Sequence, residues 1–209
     1  MIPIYDDWHE ARRTVLRRRD LDWEEAPPAV RDSIQRVFGQ DLTPREAVRC
    51  ILNDVRDNGD QAVRRWTERT DGVALQGLQV PPEEWEAAYC SLSPDLAGAL
   101  DLAAERIRAF HARQPVASWT TGELGGTLGQ RVAPLARVGV YVPGGTASLP
   151  SSLLMAAIPA RVAGVPEIVV CTPPDRQRDG RVADITLAAA YRAGVDRLYA
   201  VGGAQAIAA

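Results

Sequence analysis

The sequence predicts an α/β fold in which a parallel βαβαβ sheet, from about residue 137 onward, follows a helix-rich N-terminal region. Three observations favour this fold. Short apolar stretches alternate with helix-forming stretches in the last third of the chain. The apolar stretches begin about thirty residues apart, which is the length of one βαβ unit. Glycine turns follow two of them, at residues 143–145 and 202–203, as in sheets that bind ligands at their carboxyl edge.

The N-terminal region carries two helix-start signals. Thr43-Pro44-Arg45-Glu46 is a capping box with proline at the first helical position. We expect this helix to end near Asn58-Gly59, because glycine is a common helix stop. Ser93-Pro94 begins another helix. Its apolar residues recur at helical spacing and are expected to form a buried face: Leu96, Leu100, Ala103, Ile107 and Phe110.

Two short β elements are expected before the main sheet. Turn signals at Asp71-Gly72 and Gln76-Gly77 precede a short strand at residues 78–80. Four glycines interrupt residues 118–135, which we interpret as a hairpin or as irregular strands.

The C-terminal region alternates between strand and helix. Crossovers of this kind are right-handed and make the strands parallel. The strands are short apolar runs, as expected when both faces of a sheet are covered. We therefore expect a helix-rich region at 1–135, part of a first incomplete α/β domain, and a sheet domain at 136–209. The predicted strands are 138–142, 167–171 and 197–201, and the predicted helices are 151–163 and 182–193.

The composition excludes several function classes. The net charge of -3 gives no electrostatic basis for binding nucleic acid or a membrane surface. All 24 basic residues are arginine, so chemistry that depends on lysine is excluded. The three cysteines are far apart and odd in number, which favours a reduced, cytoplasmic setting. The N-terminus lacks the basic start and apolar run of a signal peptide, and no apolar stretch is long enough to span a membrane.

The two glycine turns are the candidate ligand site. Pro143-Gly144-Gly145 follows one strand, and Gly202-Gly203 follows another just before a helix begins. Glycine lets a ligand approach the backbone, and helix starts supply N–H donors. The nearest polar side chains are Tyr141, which can stack on or hydrogen-bond a ribose or base, and Gln205, which can hydrogen-bond a cofactor amide or hydroxyl. Generic turn chemistry also explains both glycine pairs, since the chain lacks GxGxxG and Walker motifs.

No catalytic or metal constellation can be assembled from the sequence. His9 and His111 are the only histidines and have no acid or cysteine neighbours at ligand spacing. His111 is expected at a helix end. Cys171 ends a strand without a base or cation beside it, so a buried, inert thiol is expected.

Several long segments resemble one enzyme family, histidinol dehydrogenase. The most specific is RVGVYVPGGTASLPSSLLMAAIPARVAG at residues 137–164, followed by EIVVCTPP and YAVGGAQAIAA. The segments RDNGDQAVRRWTERTDGV, IRAFHARQ and TLGQRVAPLARVGVYVPGG are also similar to this family. The resemblance covers essentially the whole chain.

The resemblance implies an NAD- and zinc-dependent oxidation of L-histidinol to L-histidinal and then to L-histidine, in histidine biosynthesis. It implies an incomplete Rossmann-like sheet, an NAD-binding domain at 136–209 truncated at its C-terminal end, and a homodimer. Tyr141 and Gln205 match the tyrosine and glutamine that contact NAD in the family. Pro143 and Gly144 lie in the same turn and are expected to line the cofactor site.

Members of the family are much longer than this chain. Their zinc ligands and their Glu-His acid–base pair follow the segment that resembles GGAQA. We therefore expect this chain to be the cofactor-side, N-terminal half, with no catalytic residue and no metal ligand, and to be inactive alone. We also expect a marginal final helix and an uncovered sheet edge, which favour low stability or self-association.

Two alternatives stay open. Relatives with this signature oxidise other small alcohols, such as sulfonated propanediols. A stand-alone module that binds a dinucleotide or a partner without catalysis is the other alternative, and it predicts a folded chain that binds NAD.

Overall fold

The computed structural model describes residues 4–17, 26–114, 117–123, 125–144 and 148–209. The chain divides into two compact units, Met1–Cys50 and Ile51–Ala209. The division at residues 135 and 136 that the sequence suggested stays a prediction. The helices are α1 (Trp8–Arg13), α2 (Pro28–Phe38), α3 (Pro44–Asp71), α4 (Pro82–Cys90), α5 (Pro94–His111), α6 (Pro150–Val162), α7 (Asp184–Ala193) and α8 (Gly203–Ala208). The strands are β1 (Trp119–Thr121), β2 (Leu128–Gln130), β3 (Arg137–Tyr141), β4 (Glu167–Thr172) and β5 (Arg197–Ala200).

The capping box at the start of α3 is formed as predicted. The Thr43 N–H donates to Glu46 Oε2 at 2.8 Å, and the Glu46 N–H donates to Thr43 Oγ1 at 3.3 Å. The hydrogen bonds from Thr43 lower the pKa of the Glu46 carboxyl. The reciprocal bonds satisfy two N–H groups that a helix start otherwise leaves without partners.

The first helical segment of α3 ends at Asn58-Gly59, as predicted, because Gly59 has φ 53° and ψ −137°, which is not helical. A second helical segment follows at once and continues to Asp71, and the sequence did not predict this direct continuation. Asp54 joins the two segments, because its carboxylate accepts hydrogen bonds from Arg65 Nη2 at 2.9 Å and from Trp66 Nε1 at 2.7 Å. The glycine is therefore a kink inside α3, held by contacts that lie beyond the local sequence.

The parallel sheet is confirmed. Its strand order is β3-β4-β5, and both neighbouring pairs are parallel. The register places Tyr141 beside Cys171, and Cys171 beside Tyr199. The five predicted elements match β3, α6, β4, α7 and β5 to within about two residues, the usual uncertainty of element ends.

One face of the sheet packs against α6; α6 packs against α5 and α7, and α7 packs against α4 and α5. Ile168, Val170 and Leu198 are fully buried on this face. The opposite face is only half-buried at Val169 and Cys171 and is exposed at Gly139, so the expected cover on both faces is not present. The reason is topological. The strands advance in one direction, and right-handed crossovers then place both helices on the same side.

Residues 78–80 pair with the outer edge of β5. The Val80 N–H donates to the Leu198 carbonyl at 2.9 Å, and the Ala200 N–H donates to the Leu78 carbonyl at 2.7 Å. The predicted short strand is thus present as one antiparallel bridge, Gln79 with Tyr199. The expectation of an uncovered sheet edge was wrong at β5, because residues 78–80 return to this edge from the helical region.

Two further predictions are confirmed in part. β1 and β2 form an antiparallel hairpin. α5 begins at Pro94, and the Leu96 N–H donates to the Ser93 hydroxyl. Its predicted buried face is narrower than expected, because Leu96 and Phe110 are 45% and 65% exposed. The helix packs on α6 and α7 along a line through the buried residues Leu100 and Ala104.

In the described part of the chain, no helix combines the length and apolar character that a membrane crossing requires.

Candidate functional site

The carboxyl edge of the parallel sheet brings together the segments that follow three strands. Val142-Pro143-Gly144 extends β3, Pro173 follows β4, and Gly202-Gly203 leads from β5 into α8. Both glycine turns therefore lie at one edge, as the sequence predicted. Gly145, the last residue of the first turn, lies outside the described residues.

Pro173 lies between the two glycine turns. A Cβ placed on Gly144 would lie 3.2 Å from Pro173 Cγ, and one placed on Gly202 would lie 2.8 Å from Pro173 Cβ. The second distance is shorter than protein carbon contacts allow, so Gly202 is required by the packing of Pro173. Sequence reasoning did not identify Pro173 as part of this edge. The signal available was its position directly after the central strand.

Tyr141 connects the end of β3 to the start of α8. Its hydroxyl accepts a hydrogen bond from the Gly203 N–H at 3.2 Å. The side chain is nevertheless 38% exposed, so its ring remains accessible at the edge. Pro143 and Gly144 are also exposed, whereas Val142, which follows Tyr141 in the chain, is buried. Three of the four predicted site residues thus present surface at this edge.

Gln205 differs from the sequence expectation because its side chain is fully buried. Its Nε2 donates to Thr70 Oγ1 at 3.1 Å, and the Thr70 hydroxyl in turn reaches the Trp66 carbonyl at 2.8 Å. The Gln205 Oε1 atom has no hydrogen-bond partner among the described residues. A Cβ on Gly203 would lie 2.6 Å from this oxygen, which therefore lies directly beneath the exposed Gly203.

Two titratable groups near this edge are affected by burial. Desolvation raises the pKa of the Asp71 carboxyl, which follows Thr70 at the end of α3, and Thr70 opposes the shift through a hydrogen bond. Desolvation also raises the pKa of the Cys171 thiol, which favours low reactivity. The Cys171 side chain is half-buried, although a buried one was expected. Burial is the first cause of both shifts, and neither shift involves a charged partner.

The described residues hold no cluster of three or more histidine, cysteine, aspartate or glutamate side chains that fits a metal ion. His111 is the last residue of α5, as predicted, with its Nδ1 2.7 Å from Gln114 Oε1. The described part of the chain therefore provides no ligand set for zinc.

Comparison with known proteins decides the family. The family model described as histidinol dehydrogenase matches residues 36–209. The chain belongs to the histidinol dehydrogenase family. It is 52% identical over 183 residues to histidinol dehydrogenase from Deinococcus radiodurans, covering 88% of this chain and 41% of that protein. It is 50% identical over 211 residues to histidinol dehydrogenase from Bordetella parapertussis, covering 97% of this chain and 46% of that protein.

A solved structure of the family has the same fold. The crystal structure of histidinol dehydrogenase from Elizabethkingia anophelis matches with a TM-score of 0.74 and 32% identity, covering 87% of this chain and 42% of that one. The chain thus spans less than half the length of each of these relatives. The matched region includes both glycine turns and α3.

Proposed function

We propose that this chain forms the dinucleotide-binding part of an enzyme that oxidises L-histidinol to L-histidine in two steps, with NAD+ as the oxidant. The family match across residues 36–209, which includes both turns at the carboxyl edge, carries this proposal. NAD+, when bound, accepts the hydride that leaves the alcohol and then the aldehyde carbon.

The residues at the edge fit such a ligand. Tyr141 presents an exposed aromatic ring, a surface on which a base or a nicotinamide stacks. Pro143 and Gly144 are exposed beside it and line the same turn. The unpartnered Oε1 of Gln205 beneath Gly203 is an acceptor that a hydroxyl or amide group of the ligand satisfies. In this proposal these four residues bind and orient the cofactor, and none of them transfers a proton.

The zinc ion and the acid–base pair belong, in this proposal, to the part of the longer relatives that the chain does not match. The described residues do not fit zinc, so we assign no step through the metal to them. The 209-residue chain is then expected to bind NAD+ without oxidising histidinol. Assembly as a homodimer and a cytoplasmic location belong to the same proposal.

Binding of NAD+ to the purified chain, followed by isothermal titration calorimetry, tests the proposal. We expect saturable binding that Tyr141→Ala weakens about tenfold, since stacking on an aromatic ring contributes about 1–3 kcal/mol. Tyr191→Phe is the matched control, because Tyr191 is similarly exposed and its hydroxyl contacts Glu86 on α4. A folded chain that shows no saturable binding contradicts the proposal, as does equal affinity of the Tyr141→Ala variant and the unmodified chain.

Turnover is measured separately by absorbance of NADH in the presence of histidinol. We expect no NADH formation above the background without protein. Histidinol-dependent NADH formation by the 209-residue chain would contradict the assignment of the catalytic residues to the unmatched part of the relatives.

A further inference from the structure

We propose that Thr70 is a positioning residue for the dinucleotide site, because it holds the Gln205 amide so that Oε1, and not Nε2, is the atom left for a ligand. The inference rests on the proposed function and adds to it the chemical character of the ligand group. The group that meets Gln205 must be a hydrogen-bond donor.

The orientation of the amide follows from the single proton of the Thr70 hydroxyl. Two acceptors surround that hydroxyl, the Trp66 carbonyl at 2.8 Å and Asp71 Oδ2 at 3.2 Å. Its proton is therefore committed to one of them, and the hydroxyl oxygen is left to accept from Gln205. The Gln205 atom that lies 3.1 Å from Thr70 must then be the donor, Nε2.

The other end of the amide is unpaired. Gln205 Oε1 is buried and has no partner in the described part of the chain. An acceptor that is buried without a partner costs about 1–3 kcal/mol, so a ligand donor that reaches it gains affinity. Oε1 lies beneath Gly203, whose N–H contacts the exposed Tyr141 hydroxyl. In this proposal the turn shifts to admit the ligand, which then contacts both side chains.

The candidate donors on NAD+ are the nicotinamide carboxamide, the ribose hydroxyls and the adenine amino group. Each satisfies the same acceptor. A dinucleotide that carries an acetyl group in place of the carboxamide retains the hydroxyls and the adenine amino group but has lost the carboxamide donor, and it separates the carboxamide from the other sources.

The chain offers a matched set of variants. Thr70→Val removes the hydroxyl and preserves the β-branched shape, whereas Thr70→Ser keeps the hydroxyl. Thr67→Val is the control, because Thr67 lies on the same helix and its hydroxyl has no hydrogen-bond partner among the described residues. Thr67 is buried whereas Thr70 is exposed, so a general loss of helix packing would affect the Thr67 variant at least as strongly as the Thr70 variants.

Side-chain amide signals of Gln205 in ¹⁵N spectra of the ligand-free chain test the positioning step. We expect Thr70→Val to shift these signals and speed their exchange with water, and Thr70→Ser and Thr67→Val to leave them close to those of the unmodified chain. Unchanged Gln205 signals in a folded Thr70→Val chain would overturn the positioning role, whether or not NAD+ binds.

Calorimetry with NAD+ tests the consequence for the ligand. We expect Thr70→Val to weaken binding about three- to tenfold, the range that one hydrogen bond supports, with recovery in Thr70→Ser and no change in Thr67→Val. If the acetyl analogue binds more weakly than NAD+, and Thr70→Val removes that difference, the donor is the carboxamide. An equal response of both ligands to Thr70→Val assigns the donor to a ribose hydroxyl or to the adenine amino group.

Failure of this inference is distinct from failure of the proposed function. A chain that binds no NAD+ contradicts the proposed function and the ligand part of the inference together. A chain that binds NAD+ equally well with valine at position 70 contradicts the inference alone.

Discussion

Gly202 lies so close to Pro173 that a methyl group on Gly202 would fall 2.8 Å from Pro173 Cβ. The glycine has φ −109°, which any residue adopts, so packing and not backbone strain demands glycine here. Pro173 continues the central strand and touches the turns that extend both of its neighbours, including Gly144 after β3. The geometry of the carboxyl edge therefore depends on Pro173, whose ring lies against both glycine turns.

Gly202→Ala is expected to destabilise the chain by about 1–3 kcal/mol, the usual cost of forcing an extra methyl group into a packed site. Urea unfolding measures the change. Gly139→Ala is the control, since nothing lies within 4 Å of a Cβ at that strand position, and it is expected to be neutral. Equal stability of the two variants would show that Pro173 moves aside at no cost.

Gly59→Ala is expected to destabilise α3, because φ 53° with ψ −137° is a conformation that only glycine adopts without strain. We expect a loss of about 1–3 kcal/mol in the free energy of unfolding. Gly98→Ala is the control, because it is expected to raise the free energy of unfolding instead of lowering it. Gly98 lies inside α5 with open space around it, so alanine there is expected to stabilise the helix by about 0.5–1 kcal/mol. A stabilising Gly59→Ala would mean that the kink is not required.

Asp196 links the amino edge of the sheet to α6. Its carboxylate accepts hydrogen bonds from Arg161 Nη2 at 2.6 Å and from the Ile168 N–H at 2.7 Å. Desolvation opposes ionisation of Asp196, but these two partners outweigh it and lower the pKa of the carboxyl. Since the native pKa lies below the unfolded value of about 3.9, the stabilisation is complete above that pH and is lost as the pH falls through the native pKa.

Asp196→Asn is expected to lower the free energy of unfolding by about 1–2 kcal/mol near pH 7. The expected loss is kept small because the ion pair with Arg161 is partly exposed and solvent weakens it. The difference from the unmodified chain is expected to shrink below about pH 4. Urea unfolding across this pH range provides the measurement. Asp57→Asn removes an exposed ion pair with the adjacent Arg56 and is expected to change little at any pH. A pH-independent effect of Asp196→Asn would contradict an ionised role for Asp196.

Cys171 is expected to react with a thiol reagent more slowly than Cys50 and Cys90. Burial raises the pKa of its thiol and limits access, whereas the other two cysteines are exposed. A chain with serine at positions 50 and 90 isolates Cys171, and a chain with serine at position 171 isolates the other two. The rate of reaction with a disulfide reagent at pH 8 is measured for each of the two chains. Similar rates for the two chains would show that the open face of the sheet exposes Cys171 fully.

Elements with strong local signals were predicted well. The capping box at Thr43 and the serine cap at Ser93 act within a few residues of the helices they start. The βαβ spacing after residue 137 is a pattern along one continuous stretch of sequence. Features that depend on more distant residues were not predicted. The helix end at Gly59 was predicted, but not the helix that follows it directly, because the two segments are joined by Asp54 binding Arg65 and Trp66.

The sequence by itself determined the α/β class, the parallel strand-and-helix order, the convergence of two glycine turns at one sheet edge, and the resemblance that led to the family. Only the tertiary structure decided that Gln205 is buried and bound to Thr70, 135 residues away, that Pro173 fills the space between Gly144 and Gly202, and that one face of the sheet stays open. The physical reason is the range of the interactions. Helix starts, turns and strands follow from backbone preferences over a few neighbouring residues, whereas burial and side-chain pairing depend on which surfaces meet when distant segments pack.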